Sequence, residues 1–154
     1  MSKLQFDGVK HQIALINASG SAVGTWAAYN NVDSHATIRH IHNGIYTIQD
    51  RIRPHHHTAS ADGPYGLHGI IRFDVPGHPG IGVHSGRAHA RHLPGPEHPT
   101  MGCIRTSDEA MAAICGVMIR DPLATIEVFN NDASAARIAS IVNHHQSLQG
   151  RAYA

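Results

Sequence analysis

A cysteine and a histidine in the second half of this chain have the residue types and surroundings of a nucleophile and a base. Cys103 directly follows Gly102 and is followed by Ile104 and Arg105. A glycine here permits a tight backbone path that can aim neighbouring N–H groups at one point, as in an oxyanion hole. A nearby helix N-terminus and the charge of Arg105 both favour a thiolate, the nucleophilic form of cysteine. The pattern therefore indicates Cys103 as a candidate nucleophile and Gly102 as a candidate oxyanion donor.

The alternative for Cys103 is a structural thiol, since free cysteine is among the residue types most often buried. Cys115 fits that description, because it lies among Ala112, Ala113, Ile114 and Val117 with no loop or charge beside it. Two cysteines without a CxxC spacing are too few for a disulfide scaffold. Both are expected to be free thiols.

His84 is the best placed of the 15 histidines to act as the base. It ends the apolar pattern of residues 81–83 and precedes a Ser-Gly turn, so it should be held rigidly and face a loop. The histidines of the following loop are expected to be solvated or to face a substrate: His89, His92 and His98.

The surplus of histidines supports a rival hypothesis, a zinc hydrolase or metal-binding protein. Its ligands would be His55, His56 and His57, or His84 with His89 and His92. The sequence contains no HExxH helix, and a histidine-rich loop more often binds metal adventitiously than in a designed site. We therefore expect no cofactor and no catalytic metal.

Composition is that of one ordinary domain: 154 residues, 42% hydrophobic and 15% charged. Such a chain is long enough for one core and short for two. Twelve basic against eleven acidic residues leave no basic stripe that would favour nucleic acid or an anionic membrane. No apolar run of about 18 residues is present, so we expect neither a membrane span nor a signal peptide.

The elements that must position these residues follow a β-rich pattern, in which short apolar alternations lie between Gly, Pro, Asn and Asp. Strands are predicted at residues 4–7, 12–16, 23–28, 45–49, 67–73, 81–84 and 125–129. Thr106 or Ser107 is predicted to cap a helix that continues over residues 110–119 and stops at Asp121-Pro122. A second, weaker helix is predicted over residues 133–146.

Two segments together resemble the signature of the L,D-transpeptidase catalytic domain, the YkuD-like family: residues 84–86, His-Ser-Gly, and residues 100–105, Thr-Met-Gly-Cys-Ile-Arg. Fifteen residues, 85 to 99, separate His84 from Thr100, which matches the family's spacing. Residues 43–48 and 63–66 resemble flanking segments, and the resemblance covers roughly residues 4 to 129. The chain departs from the family pattern at three positions: Ser85 where Gly is common, Thr100 where Ser is usual, and Met101 where many members have a second histidine.

The resemblance implies a single β-sandwich or barrel-like catalytic domain, which we place at residues 1–129. Residues 130–154 lie beyond the resemblance and are expected to form a C-terminal helical tail. It also implies cysteine acyl transfer on peptidoglycan stem peptides, by an L,D-transpeptidase or an L,D-carboxypeptidase. The partners would then be stem peptides and not nucleic acid.

In that reaction Cys103 would attack the carbonyl that precedes the terminal D-amino acid, and His84 would take the thiol proton. The main-chain carbonyl of Ser85 would hold the imidazole, and the backbone N–H groups of Gly102 and Cys103 would form the oxyanion hole. For substrate binding the resemblance implies Arg105, pairing with a stem-peptide carboxylate, and Thr100, which keeps the motif's hydroxyl. The alternative for Arg105 is a structural salt bridge or helix-cap contact.

A further alternative is a non-catalytic cell-wall-binding module, against which the retained Cys103 and His84 pair argues. Because peptidoglycan lies outside the cytoplasm and no export signal is found, we expect a bacterial protein made in the cytoplasm that acts in the periplasm or cell wall after non-classical secretion. An effector of bacterial antagonism would fit, with an immunity or delivery protein as partner.

Overall fold

The computed structural model describes residues 1–132, which form a mainly β fold with one α-helix. The elements are β1 (Ser2–Asp7), β2 (Gln12–Ile16), β3 (Ala22–Tyr29), β4 (Gly44–Thr47), β5 (Ile71–Arg72), β6 (Gly82–His84), β7 (Ile104–Thr106), α1 (Asp108–Met118) and β8 (Leu123–Phe129). A short 3₁₀ helix over Gly95–Glu97 precedes β7. The mainly β fold class expected from the sequence is confirmed. The helix predicted over residues 133–146 lies outside the described residues.

The strands pair in the order β4-β8-β1-β2-β3-β7-β6-β5. β1, β2 and β3 form an antiparallel meander at the centre of this order. Two pairs are parallel, β1 with β8 and β6 with β7. The parallel pair β6 and β7 lies next to the end of β3 and carries the residues of interest for chemistry.

The core is filled by side chains from the strands and from one face of α1. Met111, Ile114 and Met118 recur at the spacing of a helix face and are fully buried. They pack in one cluster with strand residues such as Phe6 and Ile104. Burying a side chain of this size is worth about 1.5–3 kcal/mol, so the cluster holds α1 against the sheet.

Ser107 is the residue that caps α1, one of the two caps predicted from the sequence. Its hydroxyl accepts a hydrogen bond from the Ala110 N–H at 3.1 Å. Asp108 and Glu109 occupy the first turn, where carboxylates complement the helix dipole. α1 is eleven residues long, and no helix among the described residues is long and apolar enough to cross a bilayer.

The prediction of a strand over residues 67–73 is wrong in extent. Only Ile71–Arg72 forms a strand, and single bridges join Ile70 to His55 and Phe73 to Ile48. Gly69 has φ +74°, and a Cβ there would lie 2.3 Å from the His55 carbonyl oxygen. The chain therefore turns at this glycine, in a close backbone approach that the apolar pattern does not reveal.

β7 is the strand that the sequence interpretation missed. It has only three residues, between Cys103 and the helix cap, and is too short to show alternation. All three are buried, because β7 lies between β3 and β6. Its position is decided by the neighbouring strands rather than by its own propensity.

Candidate active site

The parallel pairing of β6 and β7 brings the histidine and cysteine segments together. His84 pairs with Arg105 across the two strands, and Cys103 directly precedes β7. Both lie on the wall of one cleft of about 260 Å³. The cleft is also lined by Tyr65, Thr100 and Arg105, with Met101 exposed at its edge.

His84 is buried, with 3% of its surface exposed, and has one fixed hydrogen bond. Its Nδ1 lies 2.7 Å from the main-chain oxygen of Ser85. Because a carbonyl can only accept, Nδ1 carries the proton and Nε2 is left with its lone pair. Burial, reinforced by the charge of Arg105, lowers the pKa of His84 to about 3. The imidazole is therefore neutral across the physiological range.

Cys103 is half-buried, and its thiol lies 3.8 Å from the Gly80 carbonyl oxygen. Burial raises the pKa of Cys103, although a hydrogen bond from the Gly82 N–H and the charge of Arg105 act in the opposite direction. The resting pair is consequently a neutral thiol and a neutral imidazole. This differs from the expected thiolate, because desolvation of a charged sulfur outweighs the nearby positive charge.

The other thiol, Cys115, is half-buried in α1 and packs against the core. Burial raises its pKa to about 11. A thiol in this state has little nucleophilic thiolate at neutral pH.

The loop that carries Cys103 is held by Thr100 and Asn30. The Thr100 hydroxyl accepts from the Gly102 N–H at 3.1 Å and donates to the Cys103 carbonyl at 2.7 Å. Buried Asn30 donates its side-chain amide to the Gly102 and Cys103 carbonyls at 2.9 and 3.1 Å. The Gly102 N–H, a candidate oxyanion donor, is thus engaged within its own loop.

Glycine is required at position 102. Its φ is +132°, where side chains are rarely tolerated. A Cβ there would lie 2.5 Å from Ile38 Cγ2 and 3.0 Å from Ile81 Cδ1. The local backbone path of the nucleophile loop therefore depends on this residue.

Arg105 is buried and bonded mainly to main-chain oxygens. Its Nη1 donates to the carbonyls of His98 and Pro99 at 2.8 and 3.0 Å, and Nη2 donates to Pro64 at 3.0 Å. Nε lies 3.4 Å from the Ser85 oxygen. Four of the five guanidinium N–H groups donate to main-chain oxygens, and one N–H on Nη2 remains. Burial lowers its pKa to about 10, so the group is still charged at neutral pH.

Three positioning residues were not identified as such from the sequence: Asn30, Tyr65 and Asp108. Tyr65 packs against the His84 ring at 4.8 Å between centroids and stacks on His57 at 3.8 Å. Asp108 accepts hydrogen bonds from the Ser85 hydroxyl and the Leu67 N–H.

Of these residues, Asn30 carries a weak signal in the sequence and Asp108 carries none. Asn30 and Asn31 follow an apolar strand directly, and a pair of amides there suggests a buried polar network. Asp108 is indistinguishable in sequence from an ordinary first-turn carboxylate.

The loop histidines have the two kinds of environment expected for them, solvated or facing the cleft. His98 is buried and lines the cleft, whereas His92 is exposed and His89 pairs with Asp62 at the surface. Neither ligand set of the metal hypothesis, whether residues 55–57 or His84 with His89 and His92, forms a three-ligand group within the described part of the chain.

Comparison with known proteins gives matches in fold. No family model matches the chain, and no curated protein does. Among solved structures it is similar to an L,D-transpeptidase from Stackebrandtia nassauensis, with a TM-score of 0.53, 14% identity and 83% of this chain covered. An L,D-transpeptidase from Xylanimonas cellulosilytica gives a TM-score of 0.55, 17% identity and 83% coverage.

A third structure, Bd1075 from Bdellovibrio bacteriovorus, gives a TM-score of 0.59 at 13% identity and covers 96% of this chain. The matches span 55%, 60% and 54% of those three chains, respectively, so the present chain corresponds to somewhat over half of each. At such low identity the likeness concerns backbone architecture. The chain has the mainly β fold of the L,D-transpeptidases.

Proposed function

We propose that this protein is a cysteine acyltransferase that acts on peptidoglycan stem peptides, as an L,D-transpeptidase or an L,D-carboxypeptidase. The observation that carries the proposal is the pair of Cys103 and His84 on one cleft wall, with the imidazole oriented by the Ser85 carbonyl. The fold shared with L,D-transpeptidases adds support.

In the proposed reaction Nε2 of His84 accepts the Cys103 proton while Sγ attacks the carbonyl carbon that precedes the terminal D-amino acid. The imidazolium then protonates the leaving amine, and a thioester remains on Cys103. An amine or a water molecule attacks this thioester and releases the enzyme. Because both groups are neutral at rest, sulfur attack and proton transfer must be closely coupled.

We assign the oxyanion donor to the Cys103 N–H rather than the Gly102 N–H. The Gly102 N–H bonds to the Thr100 hydroxyl, so it would have to leave that partner to reach a substrate. One well-placed donor is worth about a hundredfold or more in rate. Thr100 then acts by shaping the nucleophile loop, and the remaining N–H of Arg105 is the candidate for a substrate carboxylate.

The proposed site of action is the periplasm or cell wall, because the substrate lies there. A role as an effector, with an immunity protein as partner, is part of the same proposal. Periplasm-directed expression should then impair growth, whereas cytoplasmic expression should not. Equal harmlessness of the two would contradict a wall-active toxin.

The test is incubation with purified tetrapeptide muropeptides, read by mass spectrometry. Loss of the terminal D-amino acid or a new cross-link is expected, with water or amine transfer distinguished by the product mass. Cys103→Ala should abolish the product, and Cys115→Ala is the matched control that should retain it. Activity that survives Cys103→Ala but is lost with a chelator would refute the thiol mechanism in favour of a metal one.

A further inference from the structure

Two histidines and an aspartate, which the proposed acyl transfer does not use, meet where residues 40–42 approach residue 132. His42 Nδ1 lies 3.0 Å from Asp132 Oδ1, and His40 Nε2 lies 3.8 Å from the same oxygen. The ligand atoms of all three residues lie within 4.8 Å of one another. Among the described residues, no other group of three or more ligating side chains comes this close.

We propose that His40, His42 and Asp132 form a binding site for a divalent transition-metal ion, with Zn²⁺ the best match. Zinc is bound by imidazole nitrogen and carboxylate oxygen at about 2.0–2.2 Å, and four ligands at that distance stand roughly 3.3 Å apart in a tetrahedron. The distances of 3.0 and 3.8 Å from Asp132 to the two histidines bracket that value. The third pair of ligands, His40 with His42, needs a side-chain rotation to reach that distance. The His42 side chain is 79% exposed, which leaves room for the rotation.

The backbone that carries the three ligands is held by side-chain amides, of which Asn30 and Asn131 are buried and Asn43 is exposed. Between the two histidines, the Ile41 N–H donates to Asn30 Oδ1 at 2.8 Å, and its carbonyl accepts from Asn131 Nδ2 at 2.6 Å. Asn43 Oδ1 accepts the Asn131 and Asp132 N–H groups at 2.8 and 3.2 Å. A site with fixed ligand positions loses little entropy on metal binding, which separates it from a flexible histidine-rich loop.

Donor chemistry selects the metal class. Two imidazoles with one carboxylate suit zinc and other first-row transition metals, whereas Mg²⁺ and Ca²⁺ prefer sites made of oxygen ligands. Three protein ligands also leave one coordination position open for water or another ligand. His40 and His42 border a groove of about 610 Å³, so that position has access to solvent.

The simpler explanation is an ordinary histidine–aspartate ion pair, and the chain contains a matched example of one. His89 Nδ1 lies 3.0 Å from Asp62 Oδ1, with 78% and 61% of the side chains exposed. The His42–Asp132 pair has the same distance and exposures of 79% and 50%. The His42–Asp132 pair has a third ligand beside it, His40, and among the described residues the His89–Asp62 pair has none. The His89–Asp62 pair is therefore the control for a simple ion pair.

The experiment is calorimetric titration of the full chain with ZnCl₂, in parallel with MgCl₂, on the wild type and on His42→Ala, Asp132→Asn and His89→Ala. The wild type and His89→Ala should bind one Zn²⁺ with the same highest affinity. We expect His42→Ala and Asp132→Asn to lose roughly tenfold or more of that affinity, since even outer-shell changes at metal sites cost 10–100-fold. The parallel titration with MgCl₂ should show no binding at this site.

A second measurement keeps the test independent of folding defects. Saturating ZnCl₂ should raise the melting temperature of the wild type and of His89→Ala, but not of Asp132→Asn, which preserves the shape of the side chain. Equal Zn²⁺ affinity in the wild type and His42→Ala, or an equal loss in His89→Ala, would overturn the proposal in favour of scattered surface binding by histidines.

Discussion

Acid should destabilise this protein through one buried imidazole. His84 has a pKa lowered to about 3 by burial, against about 6.5 in an unfolded chain. Above pH 6.5 the residue is neutral in both states, so it does not change the free energy of unfolding. Below pH 6.5 the unfolded chain binds a proton that the folded chain does not, and stability is lost as the pH falls towards 3.

The size of this effect follows from the two pKa values. Each pKa unit corresponds to about 1.36 kcal/mol, so the full difference is about 5 kcal/mol. Between pH 7 and pH 4.5 the expected loss from His84 alone is about 2.5 kcal/mol. That is a large part of the stability of a small domain, which is typically about 5–15 kcal/mol.

Urea unfolding of the wild type and of His84→Gln, followed by circular dichroism at several pH values from 7 to 4.5, isolates this contribution. Glutamine has no proton to bind, and the other titrating groups are common to both proteins. The stability of the wild type should therefore fall more steeply with acid, by about 2.5 kcal/mol over the range. Parallel pH profiles, or an imidazole resonance of His84 that titrates near pH 6.5, would refute the burial argument.

Three substitutions test how the nucleophile loop is held, each by urea unfolding at neutral pH. Gly102→Ala should lower the free energy of unfolding by about 2–4 kcal/mol, because it combines a positive φ with a steric clash. Its control is Gly116→Ala, on the open face of α1, which should raise the free energy of unfolding by about 0.5–1 kcal/mol. Thr100→Val should cost about 1–3 kcal/mol by leaving the Gly102 N–H without its acceptor, and Thr100→Ser should restore most of it. Asn30→Asp should cost at least about 3 kcal/mol, because a carboxylate would face the Gly102 and Cys103 carbonyls. Unchanged stability in Thr100→Val or in Asn30→Asp would mean that the hydrogen bonds of that residue do not hold the loop.

Asn30 connects the proposed active site with the proposed metal site. Its side-chain nitrogen bonds the carbonyls beside Cys103, and its oxygen accepts from Ile41 and Asn131. These two partners lie between or beside the three ligands of the proposed metal site. One buried amide therefore fixes both the nucleophile loop and the backbone of the histidine pair.

Several features of the fold followed from local sequence. Residues 12–16 and 81–84 alternate or run apolar between turn residues, and strands form there. Ser107 followed by two acidic residues and an apolar stretch predicts a capped helix, and α1 begins at Asp108. These signals succeed because they depend on residues that are neighbours along the chain.

Other features depend on residues far apart in sequence and could not be read locally. β7 is a strand because β3 and β6 flank it, and the turn at Gly69 exists because the chain passes close to His55. The hydrogen bonds of Arg105 run to carbonyls 6, 7, 20 and 41 residues away. No spacing rule predicts them.

The sequence by itself determined the candidate chemistry: a cysteine after a glycine, a histidine at the end of an apolar strand, and a separation that resembles the L,D-transpeptidase signature. Tertiary structure decided the ionisation of these groups, the partner of the Gly102 N–H, and the meeting of His40 and His42 with Asp132. The physical reason is that residue type fixes what a side chain can do, whereas burial and long-range contacts decide its pKa and its partners.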